Sequence, residues 1–521
     1  MVTSLIQGKQ FRKVFIVNFK SANKSVCMVE IATHQKRVDY LRNTLTALDV
    51  LPSVEPGYLL NALPEDAPEQ PEEWQEILKD FNQSIIPGVT HWSSPRFHAF
   101  YPTGASYASI VGNMLSDGLS VIGFSWLSSP ACTELEVVTM NWLGKLLGIP
   151  EEFLHCSSGP GGGIIQGSAS EATLVGLLAA KDKTVRKLLR NDPSLDEDEI
   201  KPKLVAYTSD QCNSSVEKAG LLGSMKMRLL KADADGRLRG VTLKNAFEED
   251  RAQGLIPCYV IANVGTTGTC AFDPLYELGP VCNEADVWLH VDAAYAGAAF
   301  MCPEYRHLMK GIELSDSIDV NAHKWMPVSF DCSAMWVKDG YDLVRAFDVQ
   351  RIYLDDIKTE NKIPDYRHWQ IPLGRRFRAL KLWTVMRIYG AEGLRKHVRG
   401  QISLAQYFAK LVRADERFLV EPEPSMGLVC FRLKGGDIIT KKLLEMLTEK
   451  KKVFMVAGTY KDRYMIRFVI CSRLTVKEDV DYSWKQIKEE ADLLCPDKIH
   501  TKAQIPAIDQ LVARDICEKS Q

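Results

Sequence analysis

Three short stretches combine residue types that could do more than pack a core. The first is Gly159-Pro160-Gly161-Gly162-Gly163, followed by Gly167-Ser168-Ala169-Ser170-Glu171 and a long apolar run with helical spacing. Ser168 and Glu171 have capping-box spacing, so a helix is predicted to start there. Free N–H groups and hydroxyls at a helix start favour a phosphate dianion, although the same residues also suit a plain capped helix behind a flexible loop. No lysine follows the glycines as in a P-loop, and the Gly-x-Gly-x-x-Gly spacing is absent, so a nucleotide is not indicated. The second stretch, His290-Val291-Asp292-Ala293-Ala294-Tyr295, puts a carboxylate at the end of an apolar run. Asp292 either caps the next turn or stands partly buried and pairs with a cation on a ligand, because a buried charge demands a partner. The third, Asn321-Ala322-His323-Lys324-Trp325-Met326, sets a lysine among aromatic and apolar residues. Most lysines are solvated surface groups; one in an apolar pocket loses proton affinity and becomes a nucleophile for carbonyls.

Together the three stretches describe one cofactor. Pyridoxal phosphate has a phosphate for the helix start, a pyridine nitrogen for the carboxylate and an aldehyde for the lysine. The joint pattern is far more specific than any of its parts.

These residues need elements to position them. Short apolar runs at 204–210, 259–265 and 287–294 end in polar or small residues, and helical patterns separate them. Continuous apolar strands alternating with helices imply a parallel sheet covered on both faces, with ligands bound at the carboxyl ends of the strands. After a long helix near 378–389, strands at 427–433, 453–460 and 463–471 and helices near 438–447 and 482–494 imply a smaller α/β unit. Before the sheet, helical spacing at 38–48 and near 74–81 is broken by prolines. The expected organisation is therefore a poorly determined arm (1–36), a helical segment (37–106), a large cofactor domain (107–381), a small C-terminal domain (382–495) and a tail (496–521). A length of 521 residues suits about three such units.

Composition excludes other classes. Lysine plus arginine (64) nearly balances aspartate plus glutamate (66), which gives a polyanion such as nucleic acid nothing to bind. No apolar run reaches membrane-spanning length. Phe15-Ile16-Val17 is too short, and too quickly followed by Asn18 and Lys20, for a secretory signal. The thirteen cysteines are odd in number and lack Cys-x-x-Cys pairs, which points to reduced thiols in the cytoplasm and against a disulfide frame or a metal site.

The chain closely resembles the group II pyridoxal-phosphate decarboxylases, and among them the aromatic-L-amino-acid decarboxylases. The likeness runs from about residue 38 to 495 and includes VEPGYL, PGVTHW, GFSWLSSPACTELE, GGGIIQGSASEAT, HVDAAYAG, FDCSAMWVK and DYRHWQIPLGRRFR. It implies a type I aminotransferase-like fold, a mainly parallel sheet flanked by helices with a smaller C-terminal α/β domain, and a homodimer with active sites at the subunit interface. By the same resemblance Lys324 would hold the cofactor covalently, and Asp292 would keep its ring nitrogen protonated. Ala169 and Ser170 beside Ser168 would bind the phosphate. Thr267, Asn321 and His323 would line the cofactor. Trp92, Phe100, Tyr101, Thr103 and Phe124 would shape the pocket for an aromatic side chain. Gly374 matches members that take catechol or indole side chains, whereas histidine decarboxylases carry Ser there. Tyr353 would be the loop tyrosine that returns a proton to the substrate carbon.

One departure stands out. In YTSDQCNSSVEKAG, Asn213 occupies the position where the family's decarboxylases carry a histidine stacked on the cofactor and touching the substrate carboxylate. The 3,4-dihydroxyphenylacetaldehyde synthases, an insect branch of the family, carry Asn there, and the order Phe100-Tyr101 also resembles that branch. Ala322 stands where the family usually has Pro. Loss of CO₂ leaves a carbanion that a histidine could protonate in the physiological range; an amide cannot. A protonation barrier higher by 2–3 kcal/mol slows that step about a hundredfold, which lets O₂ compete for the carbanion. The leading expectation is thus oxidative decarboxylation and deamination of an aromatic L-amino acid such as L-dopa, giving an aldehyde, CO₂, ammonia and hydrogen peroxide. The alternatives are a simple amine-forming decarboxylase and a noncatalytic scaffold. Tyr353 favours the amine-forming alternative, since plant aldehyde synthases of the family replace it with Phe.

Overall fold

Alternating side-chain directions divide the central sheet between two apolar layers. The computed structural model describes residues 45–349 and 363–495. Seven strands form the sheet: β1 (Gly162–Gln166), β2 (Leu204–Ser209), β3 (Lys226–Leu230), β4 (Ile256–Asn263), β5 (Trp288–Asp292), β6 (Ser317–Asn321) and β7 (Ser333–Val337). Their order is β1-β7-β6-β5-β4-β2-β3. Neighbours from β6 to β3 pair in parallel, and β7 runs antiparallel to both β6 and β1.

The helices that cover it are α1 (Tyr107–Leu119), α2 (Pro130–Leu147), α3 (Ala169–Asn191), α4 (Ser214–Leu222), α5 (Gly240–Ala252), α6 (Leu275–Ala285) and α7 (Arg378–Arg413). One layer packs Ile164, Ala206, Ile261 and Met335 against Ala172, Val175 and Ala179 of α3 and Val216 of α4. The other packs Ile165, Val260, Val291, Val320 and Trp336 against α2, α5, α6 and the start of α7. The period of two that sends successive strand residues to opposite faces produces this division. Helix α7 extends beyond the predicted 378–389, but Gly390 breaks it with φ 63° and ψ 170°.

Beyond that break a four-stranded antiparallel sheet, ordered β10-β11-β9-β8, is built from β8 (Phe418–Val420), β9 (Leu428–Leu433), β10 (Val456–Tyr460) and β11 (Arg463–Val469). It packs on Phe408 and Val412 of α7, Leu443 and Leu447 of α8 (Asp437–Glu449), and Val480 and Ile487 of α9 (Lys477–Leu494). The segment before α1 docks on this unit. His98 N donates to the Phe454 carbonyl (2.8 Å), its ring Nδ1 donates to the Val469 carbonyl (3.0 Å), and Ser483 caps Nε2 (3.0 Å). Helices Tyr58–Ala62 and Trp74–Asp80, by contrast, bury none of their residues within the chain.

The glycine run corrects one expectation. Gly162 and Gly163 are not a flexible loop but the start of edge strand β1. A Cβ on Gly161 would lie 1.8 Å from the Glu152 carbonyl oxygen, and one on Gly163 would lie 2.6 Å from Met140 Cε. The glycines let β1 press against its neighbours rather than form a loop open to a ligand.

Candidate active site

Five strands end on one edge of the large sheet, and each hands over to a residue singled out from the sequence. β1 ends at Gln166, before Ser168; β2 at Ser209, before Asn213; β4 at Asn263, before Thr267; β5 at Asp292; β6 at Asn321, before Lys324. The register aligns Asn263 with Asp292, Asp292 with Asp319, and Asn321 with Ser333 and Gln166. Hydrogen-bonded strands lie about 4.8 Å apart, so these ends form one row.

Ser168 caps α3: its Oγ accepts from Glu171 N at 3.3 Å. The reciprocal carboxylate bond is displaced by one residue, because Glu171 accepts from Gly167 N at 2.9 Å. The N–H groups of Ala169 and Ser170 belong to the first turn, where no helical carbonyl can reach them. With the exposed Ser170 hydroxyl they suit an anion at the positive end of a 23-residue helix. Beside them Arg378 grips Asp331 through Nε and Nη2 (3.1 and 2.8 Å). The next residue, Cys332, donates its N–H to His323 Nδ1 at 2.9 Å, which links the helix start to the lysine turn. Burial, then the neighbouring Lys324 charge, holds His323 down at about 4, so its imidazole is neutral with the proton on Nε2.

Lys324 is half-buried on the single helical turn Ala322–Trp325. Its Nζ lies 6.0 Å from the Tyr101 ring centre. Tyr101 stacks on Tyr295 (3.7 Å between centres), which stacks on Trp325 (4.6 Å), giving an aromatic wall behind the amine. Gly104 N donates to the His323 carbonyl at 2.7 Å, and a Cβ on Gly104 would meet the Met326 oxygen at 2.1 Å. This close approach brings Thr103 to the lysine turn, with its hydroxyl donating to the Gly104 carbonyl (3.2 Å).

Asp292 is half-buried and serves the turn with one oxygen: Oδ1 accepts from Ala294 N at 3.0 Å. Both readings of this residue are thus compatible, since a carboxylate has further lone pairs to offer. Asn213 caps α4 by accepting from Ser215 N through Oδ1 (3.0 Å), and its Nδ2 donates to Thr267 Oγ1 (3.0 Å). Those two bonds orient the amide from opposite sides. Arg467 of β11, whose guanidinium lies 5.2 Å from the Tyr101 ring, donates to the Gly268 carbonyl (3.1 Å) and so steadies the Thr267 loop from the smaller unit.

The other predicted pocket residues sit apart from this row. Trp92 stacks on Phe100 (5.5 Å) and Phe97 (4.7 Å) in a half-exposed cluster with Phe454. Phe124 is half-buried beside Gly123, whose N–H donates to the Arg375 carbonyl (3.1 Å). That bond places it near the exposed Gly374, where a Cβ would meet Ile122 Cγ2 at 3.7 Å. Tyr353 lies outside the described residues.

Sequence reasoning missed two supports. One is the buried ion pair of Glu136 with Arg375, which also ties Glu136 to Ile165 N (2.7 Å) and holds the Gly374 segment to β1. The other is Asp319, a fully buried carboxyl in the middle of β6. Its only signal was a charged residue inside a strand otherwise fit for burial.

The residues fit pyridoxal phosphate. A helix start, a carboxylate and a lysine occupy one sheet edge, and Asn321 Oδ1, buried at that edge, has no partner among the described residues. Residues 56–434 match the pyridoxal-dependent decarboxylase conserved domain. The chain is 54% identical over 457 residues to a 3,4-dihydroxyphenylacetaldehyde synthase of Aedes aegypti, covering 88% of this chain and 87% of the relative. It is also 54% identical over 454 residues to an aromatic-L-amino-acid decarboxylase of Drosophila melanogaster, covering 87% and 88%. A crystal structure of Catharanthus roseus tryptophan decarboxylase in complex with L-tryptophan superposes with TM-score 0.82 at 39% identity, covering 88% of this chain and 97% of that one. Domain match, relatives and fold agree: the chain is a pyridoxal-phosphate-dependent enzyme with the type I fold, and it belongs to the pyridoxal-dependent decarboxylases.

Proposed function

We propose that this decarboxylase converts an aromatic L-amino acid, L-dopa in the first instance, into the corresponding acetaldehyde with consumption of O₂. The balanced reaction takes amino acid, O₂ and water to aldehyde, CO₂, ammonia and hydrogen peroxide. The observation that carries the reading is Asn213, an amide held by Ser215 N and Thr267 Oγ1 where a proton-donating histidine would otherwise stand.

Pyridoxal phosphate, when bound, supplies an electron-withdrawing ring that makes loss of CO₂ possible. Lys324 would hold it, Asp292 would face its ring nitrogen, and Ser168, Ala169 and Ser170 would bind its phosphate. Thr267, Asn321 and His323 line the same edge. The stacked Tyr101, Tyr295 and Trp325 exclude water from the lysine side. Asn213 binds and orients but has no titrating proton to give, so the substrate carbon stays unprotonated long enough to meet O₂, a small apolar molecule. Trp92, Phe100, Thr103, Phe124 and Gly374 are proposed to bound the aromatic side chain.

Several of these residues are open to solvent in a single chain, as are Leu60 (86% exposed), Phe330 (63%) and Ile122 (60%). A homodimer that covers them would complete each site.

An oxygen electrode with L-dopa tests the proposal. One O₂ consumed and one peroxide formed per CO₂ is expected. Dopamine formed without O₂ uptake would establish instead the amine-forming reading, which the retained Tyr353 favours. A protein with no visible absorption after addition of pyridoxal phosphate would be the noncatalytic scaffold.

A further inference from the structure

Gln370 and Arg375, each only 3% exposed, bracket four exposed residues, Ile371, Pro372, Leu373 and Gly374. A plain surface loop does the reverse and turns its polar side chains to water. Here the two buried side chains meet beneath the loop. Arg375 Nη1 donates to Gln370 Oε1, which closes the loop over residues 370–375. Gln370 Nε2 donates to the Pro372 carbonyl and to the Leu373 carbonyl (3.1 Å), so one amide grips the loop at three points. A guanidinium can only donate, which fixes the amide with its oxygen toward Arg375 and its two N–H groups toward the carbonyls.

This clasp stands on a rigid floor. Arg375 Nη2 donates to Glu136 of α2 and to the Ile165 carbonyl of β1 (3.3 Å). The guanidinium carbon lies 4.7 Å from the Tyr366 ring centre. Just before the loop, Gln166 Nε2 of β1 donates to the Trp369 carbonyl (2.8 Å). The Arg375 carbonyl accepts from Gly123 N (3.1 Å), so the segment that carries Ile122 and Phe124 hangs on the same clasp.

We propose that Gln370 is a positioning residue for substrate specificity: it fixes the 371–374 loop, and through Arg375 the Phe124 segment, in the form that receives the aromatic side chain. The inference rests on the reading that Gly374 and Phe124 bound that side chain. A loop already ordered in the free enzyme gives up little conformational entropy when substrate arrives. Gln370 acts on the loop from beneath, so its contribution goes to binding rather than to the chemical step.

Release of CO₂ by the holoenzyme reads the test, because it is common to the aldehyde-forming and amine-forming reactions. Gln370→Glu keeps an acceptor for Arg375 but has no N–H for the two carbonyls, whereas Gln370→Met loses both contacts. Each should raise the KM for L-dopa about tenfold, the worth of one or two neutral hydrogen bonds, with kcat within about threefold of wild type and the visible cofactor band intact. The ratio of kcat/KM for L-dopa to that for L-tryptophan should shift by at least about threefold, because a loosened rim meets the two ring systems differently. An unchanged KM in Gln370→Glu, an unchanged ratio, or a loss confined to kcat would overturn the proposal. Failure of both variants to fold would overturn it too, since Gln370 would then serve the fold alone. Gly374→Val tests the underlying reading apart from Gln370. Should it leave KM and the ratio unchanged, the pocket reading fails and takes the proposal with it. Should it shift them while Gln370→Glu does not, the pocket stands and the proposal alone fails.

Discussion

Replacing Asn213 by histidine should change the product and cost stability, and the two effects are separable. In the wild type, Asn213 Oδ1 caps α4 through Ser215 N at 3.0 Å. Histidine is a poor N-cap, and losing an Asn cap costs about 1 kcal/mol. The bond from Nδ2 to Thr267 Oγ1, also 3.0 Å, is lost as well, for about another 1 kcal/mol at this half-buried site. A total near 2 kcal/mol raises the unfolded fraction about thirtyfold, visible as a lower urea midpoint with unchanged slope. The imidazole meanwhile offers a proton. If it lowers the protonation barrier by 2–3 kcal/mol, the ratio of amine to aldehyde rises about a hundredfold. The assay is single-tube quantification of amine, aldehyde and peroxide from L-dopa in air. Asn213→Ser is the control: Ser caps about as well as Asn but gives up the bond to Thr267, so it should lose only about 1 kcal/mol and its product remains aldehyde. An unchanged product ratio in Asn213→His, or amine from Asn213→Ser, would refute the reasoning.

Other outcomes follow from features already described. Glu136→Ala leaves Arg375 charged and buried without its partner, and should cost about 3–5 kcal/mol in urea unfolding. Gly163→Ala places a methyl 2.6 Å from Met140 Cε and 2.8 Å from Trp336 Cδ1, and should cost about 1–3 kcal/mol by the same measurement. Burial holds His98 at about 3 and His290, His323 and His397 at about 4, all below the unfolded value near 6.5. The unfolded chain therefore binds more protons as pH falls from 6.5 toward 4, and each histidine removes about 1.4 kcal/mol per pH unit. Asp273, pushed up to about 7 by burial, and Asp316 and Asp319, also raised, work in the opposite direction, while His91 and His155, lowered by burial, add to the loss. With histidines in the majority, stability should fall as pH drops below 6, and a flat or rising urea midpoint there would contradict it. Lys324→Ala should abolish the visible band formed with pyridoxal phosphate while the far-ultraviolet circular dichroism spectrum stays unchanged.

How much of this was legible in the sequence depended on where each residue sits in its element. Asp292 announced itself because it ends an apolar run, and Lys324 because it stands among aromatic and apolar residues, whereas Asn321 was marked only by the family resemblance. The helix start at Ser168 was readable from its cap. The strand at Gly162–Gln166 was not, because glycine reads as a turn former and only contacts with Met140, Trp336 and Glu152 show that it serves close packing. β3 and β6 were missed because Lys226, Arg228 and Asp319 interrupt their apolar character: β3 lies at the sheet edge, and one oxygen of Asp319 is paired with a histidine on the next strand. The reach of Arg467 from the smaller sheet to the Thr267 loop is a tertiary fact with no local signature. The exposed helices before α1 were readable as an appendage without a core, and the chain buries none of their residues.

The open surroundings of Gly374 have a bearing on how this lineage could change. Among the described residues a new Cβ there touches only Ile122 Cγ2 at 3.7 Å, an ordinary contact, and the backbone needs no left-handed torsion. Within the single chain, replacement by serine therefore carries almost no folding penalty, whereas the neighbouring Arg375 is locked in place by Glu136. Selection can try new side chains at position 374 without first gathering compensating mutations elsewhere. If Gly374 bounds the substrate as proposed, diversification of substrate range should begin there.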